Sequence, residues 1–206
     1  MLSWQKASLL PRILRVVLLS FVRDVDIAMF IQHSRKLQQN IQSLESLEIS
    51  VATLGALPPF QALASCVDMG ASITMAKGAA DAGLFPAIAV IGDSTFTHSG
   101  MTGLLDAVND KSNITVIISD NLTTGMTGGQ DSAGTNKFEQ ICLGLGVEPE
   151  HLHVVVPLPK NMEEITRIMK QEIEYNGVSV IIPRRECIQT AARHAREAKK
   201  AKEETK

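Results

Sequence analysis

Residues Gly92–Gln130 read GDSTFTHSGMTGLLDAVNDKSNITVIISDNLTTGMTGGQ, and the apolar run AIAVI leads directly into them. Phe85–Ile91 is apolar and bounded by Gly83 and Gly92, the pattern of a strand buried on both faces in a parallel sheet. His98–Val108 has helical spacing, with Leu104, Leu105 and Val108 on one face. Asn113–Ser119 is a second buried strand, and it runs into Asp120 and Asn121. Two strand ends that finish in oxygen-bearing side chains build a polar site at one edge of an open parallel sheet.

Outward from this stretch the same alternation continues. Ile49–Leu54 is expected as a strand stopped by Gly55, followed by a turn at Ala56–Pro59 and a helix over Phe60–Ala82 with Gly83 as its stop. Downstream, a glycine-rich loop over Thr123–Thr135 precedes a helix near Phe138–Leu145 and a strand at His153–Val156. An amphipathic helix over Asn161–Tyr175 follows, with Ile165, Ile168, Met169 and Ile173 as its core stripe, and Val178–Ile182 is the last strand. Strands alternating with helices over ~140 residues predict an α/β fold of three α/β/α layers with a mostly parallel sheet. Three segments are expected: an N-terminal extension over residues 1–46, a main domain over 47–188 and a charged helical tail over 189–206. Within the extension, residues 7–22 are expected as a short amphipathic helix rather than a targeting segment, and Gln32–Ser46 as a surface helix or linker.

Composition narrows the class. The chain has 206 residues, 45% of them hydrophobic, enough to bury the core of one ordinary domain. Its net charge of −2 and 4% aromatic content argue against nucleic acid or an anionic membrane as partner. The apolar run Val16–Val22 is much shorter than the ~20 residues that span a bilayer. Cys66, Cys142 and Cys187 are isolated, form no CxxC and are expected to be buried or inert, which fits a reducing, cytoplasmic setting.

The strand-end residues suit a divalent cation carrying a diphosphate. Magnesium takes six oxygens, usually from one or two carboxylates, phosphate and water. Asp93 offers a charged oxygen, Asn121 an amide oxygen and Thr123 a backbone carbonyl. Ser99-Gly100 and Gly70-Ala71-Ser72 stand where helices could begin at the same edge, with free N–H groups for phosphate oxygens. Thr127-Gly128-Gly129-Gln130 permits the curvature of an anion-holding loop. An Asp in such a place can also serve only as a helix cap. Arg184-Arg185 reads equally as a phosphate or partner contact and as a solvent-exposed pair. His33, His151, His153 and His194 show no ligand spacing.

GDS followed after 26 residues by Asn121 resembles the thiamine diphosphate motif. The wider text is more specific: TLGALPP (Thr53–Pro59), MGASI (Met69–Ile73), GDSTFTHSG (Gly92–Gly100), DNLTTGMTGGQ (Asp120–Gln130) and RREC (Arg184–Cys187). Together they resemble the diphosphate-binding domain at the C-terminal end of the alpha subunit of indolepyruvate ferredoxin oxidoreductase, over about residues 49–187. The resemblance implies the thiamine-diphosphate-binding fold, with thiamine diphosphate and Mg2+ as cofactors. It makes Asp93, Asn121 and Thr123 the metal ligands. It sets Gly92, Ser94, Gly70, Ala71, Ser72, Thr127 and Gly128 against the cofactor and gives His98 a catalytic place by the thiazolium or the substrate carboxylate.

The activity implied is oxidative decarboxylation of an arylpyruvate, a 2-oxoacid, to an acyl-CoA. Coenzyme A takes the acyl group, and electrons leave to ferredoxin through a partner subunit in an oligomer. Two departures stand beside the resemblance. Val51-Ala52 occupy the place of a family cysteine, so iron–sulfur clusters are expected only from other segments or partners. The pyrimidine-binding domain is likewise expected from elsewhere, and the chain is expected to be incomplete on its own. Two rivals stay open: a subunit of a non-oxidative 2-oxoacid decarboxylase or synthase, and a catalytically inactive assembly fragment.

Overall fold

The computed structural model describes residues 44–47, 65–124, 130–186, 190–193 and 196. Six parallel strands form one sheet in the order β2-β1-β3-β4-β6-β5. They are β1 (Leu44–Leu47), β2 (Ser65–Cys66), β3 (Ala87–Gly92), β4 (Ile114–Ser119), β5 (Leu152–Val155) and β6 (Val178–Pro183). The helices are α1 (Ala71–Asp81), α2 (Met101–Asn109), α3 (Phe138–Gly144) and α4 (Met162–Glu174). A single α-turn at Asp93–Thr95 and a π turn at Phe96–Gly100 lead from β3 into α2 without a break.

The central strands are buried on both faces, which explains why they read as unbroken apolar runs. Side chains alternate across a strand. Ala87, Ala89, Ile91, Val116 and Ile118 therefore join Ile73, Ala76, Leu104 and Phe138 in the core beneath α1, α2 and α3. On the other face α4 covers β4 and β6, and the hydroxyls of Thr115 and Ser179 both donate to the Glu172 carbonyl. The expected stripe Ile165, Ile168, Met169 and Ile173 is the buried face of that helix. The α/β/α three-layer expectation holds.

α1 and α2 approach closely. A Cβ on Gly103 would come within 3.1 Å of Thr74 Cγ2. Lys77 of α1 then reaches Asp81, Asp106 and Asp110 at 2.9, 3.7 and 2.7 Å, and Asp110 and Asp81 hold its ammonium above the ordinary lysine range.

Two expectations are corrected. Leu44–Leu47 is a strand, not part of a polar helix or linker; its partner is β3, through Leu44↔Ala87 to Leu47↔Val90. Four residues are too few to show a period, and the pairing comes from a distant segment. The helix expected over Phe60–Ala82 begins only at Ala71, after the short strand β2. Gly70 has a left-handed backbone (φ +96°) that a continuing right-handed helix excludes. The strand expected at Ile49–Leu54, the turn after it and the N-terminal helix at 7–22 lie outside the described residues. Among the described residues no helix is long and apolar enough to cross a membrane.

Candidate functional site

β3 and β4 are adjacent and in register from Ala87↔Ile114 to Gly92↔Ser119. The residues that follow each strand, Asp93 and Asp120-Asn121, therefore arrive side by side. Two contacts mark the meeting: Ser94 Oγ lies 3.0 Å from Thr124 Oγ1, and the Thr123 amide is close enough to act on the Asp93 carboxyl.

Asp93 is buried and carries the imbalance of the site. Its Oδ1 accepts the Ser94 N–H at 2.6 Å and the Ser94 hydroxyl at 3.2 Å. Oδ2 is buried with no hydrogen-bond partner among the described residues. Burial, with Asp120 nearby, pushes this carboxyl up to about 6 against the pull of the Ser94 and Thr123 groups. Helix capping does not account for this, because the residue at the cap is Gly92 and Asp93 is the first residue of the turn, with only Oδ1 engaged by a backbone N–H. A buried carboxylate oxygen left without a donor is where a cation fits.

The turn after β4 is built from two side-chain caps. Asp120 Oδ1 accepts the Leu122 N–H at 3.1 Å, and Asn121 Oδ1 accepts the Thr123 N–H at 3.0 Å, leaving a second lone pair on each oxygen. Leu122 is left-handed at φ 60°, a strained state for a side chain of that size. The loop is then closed by Thr124 N–H to the Gln130 carbonyl at 2.7 Å and by Thr123 Oγ1 to the same carbonyl at 3.2 Å. Thr127 and Gly128 lie between these closing residues, outside the described ones.

The Gly70-Ala71-Ser72 turn opens α1 beside the π turn. Ser99 Oγ donates to the Met69 carbonyl at 3.3 Å, and a Cβ on Gly70 would sit 2.1 Å from that Ser99 oxygen. Only glycine fits there. His98 stands on the same π turn and is solvent-exposed. The structure thus gathers Gly92, Asp93, Ser94, Asn121 and Thr123 into one cluster and joins Gly70, Ala71 and Ser72 to the turn bearing His98. Single π turns inside α-helices are frequent at functional sites.

The sequence reading gave Asp120 and Glu139 no role and left Arg184 between two readings. Asp120 is fully buried and bonded to Arg184 Nε, while the Arg184 terminal nitrogens grip Glu139 of α3 at 2.8 and 2.7 Å. Arg184 is therefore not one of a solvent-exposed pair, since its guanidinium bridges two carboxylates. The sequence signal was the carboxylate next to Asn121, which needs a counter-charge once buried. No group of three or more His, Cys, Asp or Glu able to hold a metal occurs among the described residues. A site of one free carboxylate completed by amide, carbonyl and phosphate oxygens is not of that kind. Cys142 is buried, and burial pushes its thiol up to about 12, so it is inert as expected. Cys187 lies outside the described residues, and nothing is described of the Cys66 side chain.

Residues 48–182 match a family described as thiamine pyrophosphate enzyme, C-terminal TPP binding domain. The chain belongs to this family. Among curated proteins it is similar to the indolepyruvate oxidoreductase subunit IorA of Pyrococcus abyssi, 32% identical over 164 residues, which are 68% of this chain and 25% of that protein. The IorA subunit of Archaeoglobus fulgidus is 34% identical over 151 residues, 68% of this chain and 24% of that one. The chain spans about a quarter of the length of these relatives. Among solved structures, 2-oxoglutarate:ferredoxin oxidoreductase from Magnetococcus marinus superposes with a TM-score of 0.59 at 15% identity, over 79% of this chain and 62% of that one. A thiamine diphosphate-dependent 4-hydroxybenzoylformate decarboxylase from Rhodococcus jostii gives 0.57 at 19% identity, over 82% and 34%. At these identities the structures establish a shared fold, that of thiamine diphosphate enzymes.

Proposed function

We propose that this chain is the thiamine diphosphate- and magnesium-binding domain of a 2-oxoacid:ferredoxin oxidoreductase of the indolepyruvate type. The observation that carries the reading is the buried, unpartnered Oδ2 of Asp93 beside the Asn121–Thr123 turn. Asp93, the Asn121 amide oxygen and the Thr123 carbonyl would hold the metal. Gly92, Ser94 and the Gly70–Ser72 turn would lie against the diphosphate, with Thr127 and Gly128 from the loop. Bound thiamine diphosphate supplies the carbanion chemistry by which a 2-oxoacid loses carbon dioxide. This chain's own residues anchor and orient it, and exposed His98 stands at the rim where a substrate carboxylate would arrive.

An arylpyruvate substrate, coenzyme A as acyl acceptor and ferredoxin as electron acceptor are supported by the similarity to IorA subunits. The domain expected over residues 47–188 takes in all of β1, from Leu44, because that strand pairs with β3 inside the sheet. A pyrimidine-binding domain and iron–sulfur clusters come from other segments or subunits of a cytoplasmic oligomer.

Calorimetric titration with thiamine diphosphate tests the reading. The chain, with its partner subunit where one co-purifies, should bind saturably with Mg2+ present and lose binding when the metal is chelated. Asp93→Ala should abolish binding. Asp93→Asn, whose amide oxygen can still accept the Ser94 N–H, should lose binding as fully, and its circular dichroism and urea midpoint separate that loss from unfolding. Absence of binding by the wild type, alone and with its partner, would sink the proposal.

A further inference from the structure

Two carboxylates stand at the ends of adjacent strands, and the structure treats them differently. Asp120 is fully buried and both its oxygens are engaged, Oδ2 by Arg184 and Oδ1 by the Leu122 N–H. Asp93 has an oxygen left over. Arg184 directly follows the last strand: its N–H donates to the Val155 carbonyl at 2.8 Å and its backbone bridges to Asp120 one step beyond β6. Around it, Asp120 N–H donates to the Pro183 carbonyl and Arg185 N–H to the Asp120 carbonyl, both at 3.0 Å. The arginine is thus fixed by backbone before its side chain acts. Its Nε edge then serves Asp120 and its terminal nitrogens serve Glu139, an arrangement the planar fork permits and a lysine does not.

What Asp120 holds in turn is the strained point of the loop. A leucine at φ 60° persists only when its surroundings impose it. The imposing bond is Leu122 N–H to Asp120 Oδ1. Leu122 lies between Asn121 and Thr123, so its handedness decides whether the Asn121 amide oxygen and the Thr123 carbonyl face Asp93.

We propose that Arg184 is a positioning residue of the cation site: by anchoring Asp120 it holds Leu122 left-handed and so aims Asn121 and Thr123 at Asp93. The same bond neutralises Asp120 and leaves Asp93 as the carboxylate free to meet a cation. The proposal rests on the cofactor site described above, and its two experimental arms keep the ideas separable.

The first arm is amide hydrogen exchange on the full chain without cofactor. Arg184→Gln should speed exchange at Leu122 and Thr123 by about tenfold or more while the amides of β3 and α1 keep their protection. No change at these two amides, or a rise shared by the whole sheet, overturns the clamp.

The second arm is titration with Mn2+ and thiamine diphosphate. Arg184→Gln should weaken binding by about tenfold or more, as loss of a residue supporting a metal ligand does. Leu122→Gly, which adopts the left-handed state without strain, should recover most of that loss in the Arg184→Gln background. A residue that merely stabilises the fold would show no such recovery, and its absence overturns the route through Leu122. Should Arg184→Gln fail to fold, Arg184→Lys keeps the charge but cannot span both carboxylates, and the same criteria apply. If the wild type binds no Mn2+ with thiamine diphosphate, the proposed function falls and the exchange arm alone decides the clamp.

Discussion

Asp93 and Glu172 are both buried carboxylates on parallel-sheet edges, and they are provided for in opposite ways. Glu172, in the last turns of α4, has a fully buried side chain. Its Oε2 lies 2.8 Å from His151 Nδ1 and its Oε1 2.8 Å from His153 Nε2. His151 is stacked on Tyr175, with ring centroids 3.4 Å apart, and the Tyr175 hydroxyl donates to Glu148 at 3.0 Å. This cluster sits toward the N-terminal ends of β4 and β6, where Thr115 and Ser179 bond the Glu172 carbonyl. Asp93 lies beyond the C-terminal end of β3 with one oxygen unserved. One edge is closed upon itself and the other is left open. A closed polar network specifies structure, whereas a buried group without a partner is retained where a ligand supplies one.

The sharpest break of this contrast is to empty each carboxylate in turn. Glu172→Ala leaves the donors of His151 and His153 facing a cavity, and breaking such a buried pair should cost about 3–5 kcal/mol of unfolding free energy. Urea denaturation reads the loss as a lower midpoint. An effect below about 1 kcal/mol would mean that the two histidines find water as readily as they find Glu172.

The opposite sign is expected at the other edge. Asp93 is held at about 6, against an ordinary value of 3.8, because burial disfavours its charged form. Below pH ~4 the residue is protonated folded or unfolded and carries no penalty. Between pH ~4 and ~6 the unfolded chain releases the proton first, so stability falls as pH rises; above ~6 the penalty is complete. Asp93→Asn should therefore stabilise the free chain by roughly 2–3 kcal/mol at pH 7 and by nothing at pH 4. Denaturation midpoints of both proteins across that range check it, and parallel curves would refute the burial argument. The same substitution should abolish thiamine diphosphate binding, a trade of stability for function that Glu172 does not show.

The parts of this molecule that could be read from sequence are those with local causes. β3, β4 and β6 declare themselves as apolar runs bounded by glycine or turn residues, and Asp93 and Asn121 follow because each stands just past such a run. Parallel pairing in register then had to bring them together. Leu44–Leu47 was not legible, because its strand character comes from β3 more than forty residues away. Arg184 was ambiguous for the same reason: its partners stand 64 and 45 positions back, and ion pairing at that range leaves no periodic trace. His151 and His153 carried a faint signal that was passed over. Two residues apart across the entry to an edge strand, His151 just before β5 and His153 within it, both meet a buried acid from α4.

The smallest effect probes how poorly Asp93 is served. Ser94→Ala removes the hydroxyl that lies 3.2 Å from Asp93 Oδ1 and 3.0 Å from Thr124 Oγ1, while the Ser94 N–H bond at 2.6 Å remains. Loss of one part-buried hydrogen bond should cost about 1 kcal/mol. That hydroxyl favours the charged carboxylate, so its removal should also move the Asp93 titration upward from about 6. The stability difference between Ser94→Ala and wild type should accordingly be smaller at pH 4 than at pH 7. If it is the same at both, the hydroxyl serves Thr124 and the loop rather than the carboxylate, and Asp93 is left with the backbone amides of Ser94 and Thr123.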